Sequence, residues 1–373
     1  MRQKPVLLAA SAIAALSMAS PPLVRAAAPA TPSGFVYVAT NDPQGNSIIR
    51  FRRADNGLLT RSGEMRTGGA GGTGNGVGAL DPLGSQNSLV LAGPGGPLLV
   101  VNAGSDTISS IDIGGDRDDH RVRAVPSGGS FPNSIAVDGN LVYVLNAHGT
   151  PNVSGFRLDA RGVLRPIPSS ARELPGGSAS APQDVRFTPD GTRLMVTEGK
   201  TNQIDIFELG ADGLITSVVS QPASGSGPFG FTFGRGGTLL VTAAGSAALA
   251  SYTLGSDDTL SVITPSLSDG QAATCWLSLT RDGRVAFVSN TGSGTLSAYE
   301  VGASGALSLS SAVAAKVTGS APIDSALSPD GAFLYVDDSA HGRVLAFSVH
   351  GAGLQHLATV SGLPATIQGI TAE

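Results

Sequence analysis

The chain has 373 residues, with 51 glycines, 23 prolines, 41% apolar residues and 14% charged ones. That apolar content supports a sizeable core and excludes disorder over most of the length, while the many turn formers and few charges point to short strands. A net charge of −5 with no lysine or arginine cluster excludes the cationic footprint of a nucleic-acid binder, and no run of 18 apolar residues outside the N-terminus predicts a membrane-spanning helix.

Residues 1–28 read as a secretory signal peptide. Arg2 and Lys4 precede an apolar stretch from Val6 to Ala19, and the small residues Ala26, Ala27 and Ala28 follow. The stretch is too short to span a bilayer, and without an Arg-Arg pair the general secretory route is expected. Cleavage after Ala26 or Ala28 would start the mature protein near Ala27–Pro29, with residues 29–373 as one periplasmic or secreted domain. It would remove Arg2, Lys4 and Arg25 and no acidic residue, making the remainder more acidic. The single cysteine, Cys275, excludes an internal disulfide, so core and sheets must hold the domain.

The first strand expected after this segment is Phe35–Ala39. The glycine-rich stretch Thr67–Gly84 lacks the G-K-[ST] of a phosphate loop and reads as a flexible surface insertion. Asp116, Asp118 and Asp119 lack the glycine and terminal glutamate of a calcium loop. A repeat organises everything after residue 34. Its cleanest copy starts at Ala181-Pro182 and runs through Val185-Arg186-Phe187, an Asp190-Gly191 turn, Leu194-Met195-Val196, Gln203–Phe207 and Gly213-Leu214. The segment from Ala321-Pro322 repeats it, with Asp330-Gly331, Phe333–Val336, Arg343–Phe347 and Gly353-Leu354. Asp-Gly pairs at Asp190, Asp212, Asp282 and Asp330 read as turns.

The equivalent second-strand residues are Tyr37, Leu99, Tyr143, Met195, Leu240, Phe287 and Tyr335. They recur roughly every 44–52 residues, apart from a longer first step, which is the period of a four-stranded blade. The expected fold is therefore all-β, a seven-bladed β-propeller. Phe35–Ala39 has no inner strand before it, and the segment from Leu363 to Ala372 has an inner-strand pattern with nothing after it. The C-terminal strand is thus expected to enter the N-terminal blade and close the ring, which leaves no open edge.

The strands Phe35–Val38, Leu141–Asn146 and Phe333–Val336 carry a YVTN-like repeat. They resemble the lactonase family of seven-bladed propellers, which includes 6-phosphogluconolactonase-like proteins and 3-carboxymuconate cyclase. Ser85–Leu91, Val101–Ser105, Gly227–Phe231 and the ending Gln368-Gly369-Ile370 resemble its secreted bacterial branch. The resemblance implies a hydrolase-type or ring-closing activity, with a histidine after the lead-in proline of one blade, Arg-His after Gly-Pro in the next, and a glutamate beyond that blade's second strand. Here those positions hold Gln183, Phe229-Gly230 and Ala244. The family's ionisable residues are replaced.

In a propeller the residues that lead into the inner strands gather at one rim of the central channel. Here they form a ring of amides, carboxylates and one large aromatic, suited to a small polar ligand. Trp276 is expected to stack on the ligand, with Gln183, Asn133, Gln368, Asn87, Phe229 and Cys275 beside it; the same residues could equally cap strand ends. Asp184 and Asp324 are the candidate acids or bases of a partly dry channel. Glu198 joins them because it replaces the asparagine found at Asn102, Asn146 and Asn290. His148 and His341 read as exposed loop histidines, and Cys275 as an inert core thiol.

No His-x-His or His-Glu-x-x-His spacing suggests a metal, no G-x-S-x-G suggests a hydrolase elbow, and no cofactor is expected. Two function classes stay open. One is an exported enzyme acting on a small lactone or carboxylated ring compound with an altered site. The other is a non-catalytic propeller that binds a small molecule, glycan or protein. In either case a monomer with no membrane insertion is expected.

Overall fold

Runs such as Leu98–Asn102 and Val285–Asn290 are buried at every residue. Strands of that kind need cover on both faces, and stacked neighbouring sheets supply it. The computed structural model describes residue 1 and residues 32–74, 80–114 and 120–373. The expected cleavage region and Asp116, Asp118 and Asp119 lie outside the described residues.

Seven antiparallel sheets follow one another along the chain. All seven anchor residues fall in the second strand of their sheet, and each is at most 1% exposed. The innermost strands are Leu89–Leu91, Ser130–Asp138, Pro182–Phe187, Pro228–Phe233, Thr274–Leu279 and Ser325–Leu327 in blades 2 to 7. In blade 1 that place belongs to Ile370–Ala372, which pairs with Pro32–Ala39 in the register Val36↔Ala372, Tyr37↔Thr371, Val38↔Ile370. The ring is a seven-bladed β-propeller closed by its C-terminal strand, as the paired deficits at the two ends predict. Among the described residues there is no α-helix, and no helix is long and apolar enough to cross a membrane.

The core is a series of apolar layers between adjacent blades. Leu99, Val101, Val142 and Val144 form one between blades 2 and 3, and Tyr335, Val344, Val36 and Phe51 form the layer that joins blade 7 to blade 1. Second-strand tyrosines add polar ties between blades. Tyr143 Oη donates to the Gly213 carbonyl at 2.8 Å, and Tyr335 Oη to that of Gly57 at 3.0 Å. The Asp-Gly turns behave as turn chemistry requires. Asp190 Oδ1 accepts the Thr192 amide at 3.1 Å, while Gly191 sits at φ 68°, which a side chain would resist.

The insertion departs from its expected surface role. Thr67 is fully buried and Leu83 is 2% exposed. Residues 72 and 74 lie against Phe131 at the channel rim, and Leu83 and Gly84 lie inside the channel mouth. An apolar residue and several amides at the end of the segment give it something to bury there.

Candidate functional site

The segment Asp81–Asn87 crosses the central channel and is held by four blades. The Leu83 amide donates to Gln368 Oε1 at 2.7 Å, and Gln368 Nε2 donates to Asp81 Oδ1 at 3.0 Å and to the Ser85 carbonyl at 2.9 Å. Trp276 Nε1 donates to that same carbonyl at 2.8 Å, and Ser85 Oγ donates to the Asn133 carbonyl at 2.6 Å. The Gln86 amide donates to the Gln183 carbonyl at 3.1 Å. Its side chain pairs with Leu277, donating from Nε2 to the carbonyl at 2.8 Å and accepting the amide at Oε1 at 3.3 Å. These bonds satisfy polar groups that no strand ladder reaches.

Above this segment lies a cavity of about 620 Å³ at the starts of the inner strands. Phe229 and Trp276 form one wall, edge to face with centroids 4.7 Å apart. Opposite, His148 stacks on Phe131 with centroids 4.0 Å apart. Leu80, Leu83 and Ala244 add apolar surface. The polar lining includes Asn133, Gln183, Asp81 and Lys200, with Lys200 exposed at the mouth. Asn133 Oδ1 and Gln183 Oε1 have no hydrogen-bond partner among the described residues. An apolar body with a few convergent polar groups suits a small ring compound.

Burial shifts two ionisable groups of the lining. Burial pushes the Asp81 carboxyl up to about 7, against hydrogen bonds from the Gly84 amide and Gln368. Burial pulls His148 below its ordinary value, opposed by the charge of Asp106. Cys275 also lines the cavity, but burial and the nearby Asp81 hold its thiol well above the usual range. It is therefore a thiol, not a thiolate, at neutral pH.

Of the residues the sequence singles out for ligand binding, Trp276, Gln183, Asn133, Phe229 and Cys275 all border this cavity. Gln368 does not; it sits at the base, fully buried, holding the crossing segment. Asn87 turns the other way and donates from Nδ2 to Asp184 Oδ1 at 2.7 Å. Trp276 is 1% exposed, so Phe229 carries more of the wall's open surface.

None of the three carboxylates singled out for catalysis is among the cavity's lining residues. Asp184 is fully buried deeper in the channel. Its oxygens accept from Asn87, Ser134, Arg186 and the Phe231 amide. Burial raises its pKa despite Arg186. Asp324 is 3% exposed and accepts its neighbour Ser325's amide at 2.9 Å; burial pushes it to about 8. Glu198 is fully buried at the end of its strand, accepting from the Gly176 amide at 3.0 Å and from Thr201 Oγ1.

Glu198 has a partner that explains its departure from the repeat. In other blades the asparagine bonds a serine on the next strand: Asn102 Nδ2 donates to Ser109 Oγ at 2.8 Å and Asn290 Nδ2 to Ser297 Oγ at 2.7 Å. The register places Asp205 at the serine's position, two residues beyond Gln203, the residue opposite Glu198. Burial, with the Glu198 charge and hydrogen bond, pushes Asp205 to about 8. A pair of neighbouring carboxyls stands where other blades have an amide and a hydroxyl.

His148 and Asp81 are the residues that sequence reading leaves out of the site. His148 belongs to a second strand's end that faces the channel, and it is half-buried rather than exposed. His341 instead pairs with Asp338, Nδ1 to Oδ1 at 2.7 Å.

Residues 241–366 match the family model described as lactonase, 7-bladed β-propeller. No curated protein matches the chain. Among solved structures, a protein from Lactobacillus plantarum is 20% identical, with a TM-score of 0.73, covering 92% of this chain and 100% of its own. The periplasmic gluconolactonase of Pseudomonas aeruginosa is 20% identical, with a TM-score of 0.68, covering 90% of this chain and 98% of its own. A catalytically inactive virginiamycin B lyase from Staphylococcus aureus, solved with quinupristin, is 13% identical, with a TM-score of 0.55, covering 73% and 83%. At these identities the likeness is one of fold, and the same architecture carries more than one chemistry.

Proposed function

We propose that the chain, a seven-bladed β-propeller, is an exported member of the lactonase family whose rim cavity takes a small lactone or carboxylated ring compound and opens or closes that ring with an altered site. One observation carries this reading. Gln183, Phe229 and Ala244, the positions where the resemblance puts ionisable residues, border the same 620 Å³ cavity. The pocket persists where its original chemistry is gone.

Asp81, His148 and Lys200 border that cavity instead. With a pKa of about 7, Asp81 is half ionised at neutral pH, the poise a general base needs. In ring opening it takes a proton from water as the water oxygen bonds to the lactone carbonyl carbon. The ring C–O bond then breaks, and the proton passes to the departing alkoxide oxygen. Closure is the reverse. Lys200 at the mouth attracts a substrate carboxylate, and the Phe229–Trp276 wall packs against the ring. A periplasmic or secreted location is supported by the signal-peptide pattern of residues 1–28 and agrees with the periplasmic gluconolactonase of the same fold.

The test is hydrolysis of γ- and δ-lactones, with and without a carboxylate, by the purified protein in the presence and absence of divalent metal. Ring opening above background that disappears in Asp81→Asn supports the reading. A second reading, a binding propeller without turnover, is favoured by the loss of ionisable groups at Gln183, Phe229-Gly230 and Ala244. Lactone binding with no hydrolysis by the unmodified protein would select it.

A further inference from the structure

The inner strands start at the rim cavity and end on the far side of the channel. There, two adjoining recesses of about 410 and 360 Å³ share Asn87, Val90, Leu91, Arg186 and Thr232. The remaining walls come from the ends of the other inner strands, including Leu277, Leu327 and Ile370. The crossing segment separates this mouth from the rim cavity, since Gly84 lines the cavity while Gln86 and Asn87 line the far recess.

Arg186 is the one lysine or arginine in either lining. Its Nε donates to Asp184 Oδ2 at 3.1 Å, and its guanidinium carbon stands 5.9 Å from the Phe231 ring centroid. Asp184 is itself fixed by Asn87, Ser134 and the Phe231 amide. The guanidinium is therefore oriented along one edge, and no protein group among the described residues accepts from its Nη1 or Nη2. The side chain is only 26% exposed. A largely buried fork with open donors is a site for a planar oxyanion.

We propose that the far mouth is a second binding site, for a monocarboxylate with an apolar body. The open edge of Arg186 takes the carboxylate by two N–H bonds, the Thr232 hydroxyl adds a third, and the leucine and isoleucine walls hold the body. One negative charge fits better than two. Arg186 already shares its charge with Asp184, and Asp138 lines one of the recesses, so a phosphate dianion would be left undercompensated.

Hexanoate, a monocarboxylate with an apolar body and no ring for the rim cavity, titrated into the purified protein by calorimetry at low salt, tests this. The expected result is one saturable site. Arg186→Lys, which keeps a cation opposite Asp184 but removes the fork, should weaken binding at least tenfold. Thr232→Phe should fill the recess and abolish binding while leaving the Arg186–Asp184 pair in place. Val262→Ser, on an exposed outer strand away from both cavities, should bind as the unmodified protein does. Thermal melts check that each variant folds, and if Arg186→Lys does not, Thr232→Phe decides alone. No binding by the unmodified protein, or unchanged binding in Thr232→Phe, would overturn the proposal. So would inorganic phosphate binding as tightly as hexanoate.

Discussion

Gly230 yields its side-chain space to Gln86: a Cβ on Gly230 would fall 2.1 Å from Gln86 Oε1. The position where the family resemblance places a histidine is thus occupied from across the channel. Gln86 uses that room to pair with both backbone groups of Leu277. Gly230→Ala should push this amide aside and cost about 1–3 kcal/mol, the usual range for overpacking. Gln86→Ala should cost a similar amount, about 1–3 kcal/mol, by leaving buried backbone groups of Leu277 unpaired. Denaturant unfolding measures both. If the two changes are fully additive in the double variant, they do not act through the same contact.

Ring closure predicts a large effect of truncation. Removing residues 363–373 takes away Ile367 and Ile370, which are 0% and 5% exposed, and the pairing of Ile370–Ala372 with blade 1. It also removes the acceptor of the Tyr37 hydroxyl, Glu373 Oε1 at 2.6 Å. The loss should exceed about 3 kcal/mol, because apolar surface and a sheet edge are exposed together. A truncated protein melting within a degree or two of the full chain would contradict closure as a source of stability.

Buried channel carboxyls set the pH dependence of stability. Asp324 has a folded pKa of about 8 against an ordinary value of 3.8. The folded state therefore binds the proton more tightly, so stability is greatest near pH 4, falls as pH rises toward 8 and is level above it. The slope for one such group is at most about 1.4 kcal/mol per pH unit. Depressed carboxyls such as Asp190 lose their contribution only at more acid pH, so they do not offset this window. Asp324→Asn keeps an acceptor for the Ser325 amide, should flatten the decline between pH 5 and 8, and should raise Tm at pH 8. Parallel Tm–pH curves for the two proteins would rule out Asp324 as a cause.

If Asp81 is the base, kcat for lactone opening should rise with pH through about 7 and then level. Asp81→Asn retains an oxygen for the Gly84 amide and Gln368, so it should keep KM and lose kcat by 100-fold or more, on the order of general-base effects. A pH-independent kcat would remove Asp81 from the role.

Lys200 should act on substrate charge alone. Lys200→Met is expected to raise KM several-fold for a carboxylated lactone and leave a neutral lactone unaffected, with the first effect shrinking at high salt. Equal changes for both substrates would mean that the lysine shapes the pocket rather than steering charge.

The blades were legible along the chain. Tyr37, Leu99, Tyr143, Met195, Leu240, Phe287 and Tyr335 mark second strands because a strand buried on both faces needs a continuous apolar run, and the Asp-Gly turns between strands are local chemistry. Closure by Ile370–Ala372 was legible for the same reason, since a missing inner strand and a spare one are counted along the chain. The rim ring was legible in part: the repeat places Asn133, Gln183, Phe229, Cys275 and Trp276 at one end of the channel, and they border one cavity. Asp205 carried a readable signal too, standing where other blades have Ser109, Ser154 and Ser297.

What fills the channel could not be read along the chain. The insertion after Thr67 has no periodicity, and its partners Gln183, Trp276 and Gln368 lie far along the chain, so nothing local distinguishes a surface loop from a buried crossing. The same holds for function-bearing groups. Whether a carboxyl is a poised acid at a cavity, like Asp81, or a fully bonded anchor beneath it, like Asp184, depends on which blades face it and how much water they exclude. Burial and long-range hydrogen bonds set those properties, and they exist only once the ring has closed.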